Sequence, residues 1–94
     1  GRDIFQQILM LREEVEQAVL SLGKRATLAR EALHLLYRQP IVEATDFSTM
    51  LKVSAPTANA LIQALIDKAI LVEITGQQRG RIYSFERYVK LFME

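Results

Sequence analysis

The stretch from Val53 to Tyr88 constrains this chain more than any other part of it. Ser54 offers a side-chain oxygen that can cap a helix, and Ala55-Pro56 can open that helix because proline is tolerated in a first turn. Ala58, Leu61, Ile62, Leu65 and Ala69 then recur at the helical period as one inward face. Ile70 to Thr75 is rich in strand formers, and Gly76-Gln77-Gln78-Arg79-Gly80 is a turn bounded by glycines. Arg81 to Phe85 reads as the returning strand, and Tyr88, Val89, Leu91 and Phe92 predict a short closing helix. A helix followed by a hairpin with arginines at its tip predicts a mainly α fold: a winged helix-turn-helix with a small β-hairpin wing, preceded by a long amphipathic helix.

That long helix runs over residues 4–22. Ile4, Ile8, Leu11, Val15, Ala18 and Leu22 are spaced by 4, 3, 4, 3 and 4, a heptad-like seam widened by Phe5, Leu9 and Val19. The run falls short of three full heptads. It suits first a helix that packs on its own or a neighbouring domain, and second a self-pairing helix whose dimer seam is Ile4, Ile8, Leu11 and Val15. Gly23 marks its end. A second helix is expected from about Arg25 to Arg38, with Leu28, Ala29, Ala32, Leu33 and Leu36 inward and Pro40 as its stop. Ile41-Val42 predicts a very short strand or extended link. A third helix is expected from about Ala44 to Leu51, with Phe47, Met50 and Leu51 inward and Asp46 near its positive end. Lys52-Val53-Ser54 makes the tight turn into the next helix. The expected organisation is a connector or dimerisation helix over residues 1–22 and a winged-helix domain over residues 23–94.

Composition narrows the function classes. Half of the 94 residues are hydrophobic, 24% are charged and none is cysteine. Disulfides, thiolate metal sites and a cysteine nucleophile are therefore excluded. No apolar run approaches the roughly 20 residues needed to cross a bilayer, and no signal-peptide pattern opens the chain, so cytoplasmic residence is expected. Gly1 stands where an initiator methionine would be, which suits a piece of a larger protein. The net charge is +1, split into −2 over residues 1–21 and +3 over residues 22–94. That is well short of the basic footprint of a strong nucleic-acid binder.

The candidate sites follow from these elements. His34 lies between Leu33 and Leu35 with no partner in any catalytic or metal-binding pattern. Gly76 and Gly80 bracket a hairpin tip and precede no helix, so they form no phosphate loop. No catalytic, cofactor or metal residue is assigned. On the helix after Ser54 the expected outward face is Pro56, Ala60, Gln63, Ala64 and Asp67, flanked by Thr57 and Asn59. Thr57, Asn59 and Gln63 can hydrogen-bond bases or phosphates, but no cation occurs between Lys52 and Lys68. Lys52 at the turn and Arg79 and Arg81 at the wing, together with Lys24, Arg25 and Arg30, are the positive charges that could compensate. Lys52, Thr57, Asn59, Gln63, Arg79 and Arg81 are thus the DNA-contact candidates, for weak binding. The plain alternative is that the arginines are solvated charges on a hairpin.

From about Ala29 to Phe92 the chain resembles the C-terminal winged-helix region of Fic-family proteins. The resemblance is carried by Leu35-Leu36-Tyr37-Arg38-Gln39-Pro40 and by Val53-Ser54-Ala55-Pro56-Thr57-Ala58-Asn59. Ile70-Leu71-Val72-Glu73-Ile74-Thr75-Gly76, then Gln77-Gln78-Arg79-Gly80-Arg81-Ile82-Tyr83 and Tyr88-Val89, complete it. It covers roughly two thirds of the chain, and single pieces of it occur in unrelated winged-helix regulators. Fic proteins move AMP from ATP to a hydroxyl of a target protein, using a His-Pro-Phe-x-x-Gly-Asn-Gly-Arg motif. Here the one histidine, His34, precedes Leu35-Leu36, and no Gly-Asn-Gly occurs, so no catalytic residue maps onto this chain. The resemblance implies a non-catalytic C-terminal module in regulation, interaction or DNA binding, with the catalytic domain of the same protein, which carries out AMPylation, upstream. The other expectation is a dimeric winged-helix transcriptional regulator that binds DNA.

Overall fold

The computed structural model describes residues 3–93 of the chain. The elements run α1 (Ile4–Leu20), a 3₁₀ turn (Gly23–Arg25), α2 (Ala26–Arg38), β1 (Ile41–Val42), α3 (Ala44–Met50), α4 (Ala55–Asp67), β2 (Val72–Glu73), β3 (Tyr83–Ser84) and α5 (Glu86–Lys90). The architecture is mainly helical, with a small antiparallel sheet in the order β1-β3-β2. No described helix is long and apolar enough to cross a membrane.

α1 starts where the Asp3 carboxylate accepts a hydrogen bond from the Phe5 N–H at 3.1 Å. It ends at Leu20 rather than Leu22, and Gly23 at φ 62° turns the chain back. α2 returns along α1, and Leu11, Val15 and Val19 enter one core with Ala29, Ala32, Leu33 and Leu36. This divides the expected dimer seam. Leu11 and Val15 are consumed by their own chain, while Ile4 stays exposed and Ile8 half-buried. The apolar period of α1 serves an intramolecular neighbour, and α1 packs as part of the same core. Gly1, Arg2 and Glu94, included in the expected domain ranges, lie outside the described residues.

α2 ends as Pro40 requires, with Gln39 extended at φ −139°, ψ 82°. The chain then supplies β1, whose Ile41 and Val42 pair with Ser84 and Tyr83. On the other side of β3, Val72 and Glu73 of β2 pair with the same two residues. β1 spans the expected Ile41-Val42, whereas β2 and β3 are shorter than their β-rich runs, with only the Ile74 N–H to Ile82 carbonyl bond at 2.9 Å continuing the hairpin beyond them.

α3 is capped reciprocally: the Glu43 N–H donates to Asp46 Oδ2 at 2.7 Å, and the Glu43 side chain accepts from the main chain of Asp46. Phe47 is its buried anchor, whereas Met50, expected inward, is exposed, because this short helix ends there with one side toward solvent. Lys52 at φ 58° makes the turn, and Ser54 caps α4 by accepting from the Thr57 N–H at 3.2 Å. α4 buries Ala58, Leu61, Ile62 and Leu65 as expected, and also Ala64, expected outward. Its apolar arc is wider than one stripe because α2 and α3 both pack on it. Ala69, placed inward, is instead exposed at φ 59° just past the helix. Its left-handed backbone reverses the chain, so that the Ile70 and Leu71 N–H groups donate to the Leu65 carbonyl at 2.9 and 3.2 Å. Ile70 and Leu71 then fill the core beneath the sheet.

Candidate interaction cleft

Because α4 runs beside the β2–β3 hairpin, a cleft of about 510 Å³ opens between them. Asn59, Ile62, Gln63 and Ile66 of α4 form one wall, and Glu73, Gln78, Gly80, Arg81 and Tyr83 of the hairpin form the other. Glu43, Ala44 and Thr45, at the start of α3, close one end. Its volume lies within the range of about 300–1,000 Å³ seen for ligand sites.

The hairpin side is held by its own hydrogen bonds. The Glu73 carboxylate accepts from the Thr75 hydroxyl, from the Gly76 N–H at 2.6 Å and from the Thr75 N–H at 2.8 Å. These donors, first the Thr75 hydroxyl and then Gly76, hold its pKa below the ordinary carboxylate value, and the nearby Arg81 guanidinium adds to the effect. At the tip, Gln77 Nε2 donates to the Gly80 carbonyl at 3.0 Å, and Arg81 Nε donates to the Gln77 carbonyl at 2.6 Å. Gly76 and Gly80, at φ 67° and 61°, make this turn without Cβ strain. Arg81 is thereby fixed along the cleft rim, with its terminal nitrogens available to a partner.

Of the expected DNA-contact residues, the structure brings Asn59, Gln63 and Arg81 together around this cleft. Lys52 is exposed at the α3–α4 turn and Arg79 at the hairpin tip, both outside the cleft lining. Thr57 is turned to local duty: its Oγ1 accepts from the Ser54 hydroxyl at 3.0 Å. Gln63 is partly engaged as well, donating to Asp67 Oδ1 at 3.0 Å one turn later. Glu43 and Glu73 were missed as cleft residues. Glu43-x-x-Asp46 carries the spacing of a reciprocal cap, which could have placed the first; nothing local to Glu73 reveals that it faces α4.

His34 is exposed, with its ring stacked 6.3 Å from that of Tyr37. Among the described residues no group of three or more histidine, aspartate and glutamate side chains is arranged to hold a metal ion. Compared with family models, with curated proteins and with solved structures, the chain gives no significant match.

Proposed function

We propose that this chain is a non-catalytic winged-helix module of a Fic-type AMP-transferring protein, serving regulation or interaction. The hairpin beside α4, joined across β3 to the strand that follows α2, is the observation that carries the winged-helix part of this reading. The Fic part rests on the residues quoted for the resemblance. Residence in the cytoplasm and attachment to an upstream catalytic domain belong to the same proposal. Interaction is favoured over DNA recognition by charge. α4 carries no cation from Ala55 to Asp67, and two carboxylates line the cleft where a phosphate backbone would approach. The coding sequence upstream of Gly1 tests this directly. It should contain a His-Pro-Phe-x-x-Gly-Asn-Gly-Arg motif, and a gene that lacks it removes the Fic reading.

A dimeric winged-helix DNA-binding regulator is the second reading. The exposed Lys52, Arg79 and Arg81 favour it, with apolar Ile4 and Phe5 exposed on α1 as the start of a dimer contact. Tight, sequence-selective binding of a DNA duplex by the purified chain would select it.

A further inference from the structure

We propose that the cleft between α4 and the hairpin receives an extended peptide whose central apolar residue is flanked by an acidic residue on one side and a basic residue on the other. The inference rests on the interaction reading and gives that interaction a site and a ligand class.

Three exposed carboxamides, Asn59, Gln63 and Gln78, line the two walls. Each offers both a donor and an acceptor, the complement of the alternating N–H and C=O groups of an extended main chain. Gln63 spends a donor on Asp67 but keeps its carbonyl oxygen. Ile62, Ile66 and Tyr83 supply apolar lining; Ile66 is only half-buried, so it is the surface on which an incoming side chain can rest.

The charges set the polarity of the ligand. Arg81 stands on the hairpin, its Nε tied to the tip and its remaining donors free to form a forked pair with a carboxylate. Glu43 stands at the α3 end and keeps acceptor capacity beyond its capping bond. Glu73 adds a second negative charge on the hairpin wall, because Thr75 and Gly76 donate to its Oε2 alone and leave Oε1 open. One cation and two carboxylates along an amide-lined channel fit a peptide carrying both charges. A nucleic-acid strand would bring a phosphate to Glu43 and find only Arg81 to neutralise it.

The test selects binders to the full chain from a random short-peptide library, then follows backbone amide shifts on adding one selected peptide or a short DNA duplex. Enriched peptides should share an acidic–apolar–basic pattern and should move the amides of Asn59, Gln63 and Tyr83. Arg81→Glu should weaken binding about tenfold or more and abolish the preference for the acidic residue. Gln63→Ala, which leaves the hairpin intact, should weaken it too, with both variants melting as cooperatively as the parent. Failure to enrich any peptide overturns the proposal. Enriched peptides that ignore both substitutions and shift α1 amides overturn the cleft while leaving the interaction reading standing. A DNA duplex that moves the cleft amides when no peptide does overturns both.

Discussion

The Tyr88 hydroxyl donates a hydrogen bond to the main-chain carbonyl of Tyr37 at 2.9 Å, joining α5 to the last turn of α2. Carbonyls in a final helical turn have no partner within their own helix. Tyr88 supplies one from the far end of the chain, while its ring stacks on Phe85 at 5.2 Å. Tyr88→Phe keeps the ring and removes the donor, so it isolates this bond. It should lower unfolding stability by about 1 kcal/mol, read from urea titration.

Tyr37 itself gives a pH prediction. Burial first, and the Glu16 carboxylate second, raise its phenol from 10.0 to about 12. The folded state therefore holds this proton more tightly than the unfolded chain does. Its contribution is complete below pH 10 and is lost as pH rises toward about 12. The alkaline decline in stability should be shallower in Tyr37→Phe than in the parent. Parallel declines would show that the phenol is not shifted.

The helix cap at Ser54 is a second local test. Ser54→Ala removes the acceptor for the Thr57 N–H and should cost about 1 kcal/mol of stability. Ser54→Gly should recover much of that, as measured by thermal unfolding.

Self-association through α1 should depend on the residues that the core leaves uncovered. Phe5 is 63% exposed and Ile4 40%, whereas Leu11 is 7% and Val15 is fully buried. Sedimentation of the parent at high micromolar concentration should show a dimer. Replacing Ile4 and Phe5 together with glutamate should give a folded monomer. Leu11→Glu should instead unfold the chain, since it places an unpaired carboxylate in the core. A parent that sediments as a monomer refutes the contact.

If DNA binds at all, Arg79 and Arg81 should dominate. Each replacement by alanine should reduce the salt dependence of binding by about one unit, measured by fluorescence anisotropy across a salt series. Tight binding to one sequence that survives both substitutions but fails on Gln63→Ala would show base reading by α4.

What could be read before the structure follows from how local each signal is. Ser54 and Pro56 announce the start of α4 because capping and first-turn geometry involve adjacent residues. Its end was misread. Ala69 matches the apolar period, yet the helix stops at Asp67 and Ala69 adopts a left-handed conformation that nothing in an alanine advertises. Lys52 makes the same kind of turn, though there the crowding of two helical patterns betrayed a break. On α1 the period identifies Leu11 and Val15 as inward but also places Ile4 there, and it leaves their partner open, since Leu11 and Val15 suit α2 as well as a second copy. The cleft was half legible. Asn59, Gln63 and Arg81 stand out on a helix face and a hairpin, whereas Glu43 reaches them only through the packing of α3 on α4.

The placement of β3 also bears on the order of folding. Tyr83 and Ser84 hold β2 on one side and, on the other, β1, which precedes α3 and α4. The α1–α2 pair and the α3–α4 pair join near neighbours in sequence, whereas β1 gains its ladder only after the chain between residues 42 and 83 has closed into a loop. Loop-closure entropy opposes that step until the helices have gathered. The β1–β3 ladder is then the last to form, and amides of Ile41 and Val42 should exchange with solvent sooner than those at the centres of α2 and α4.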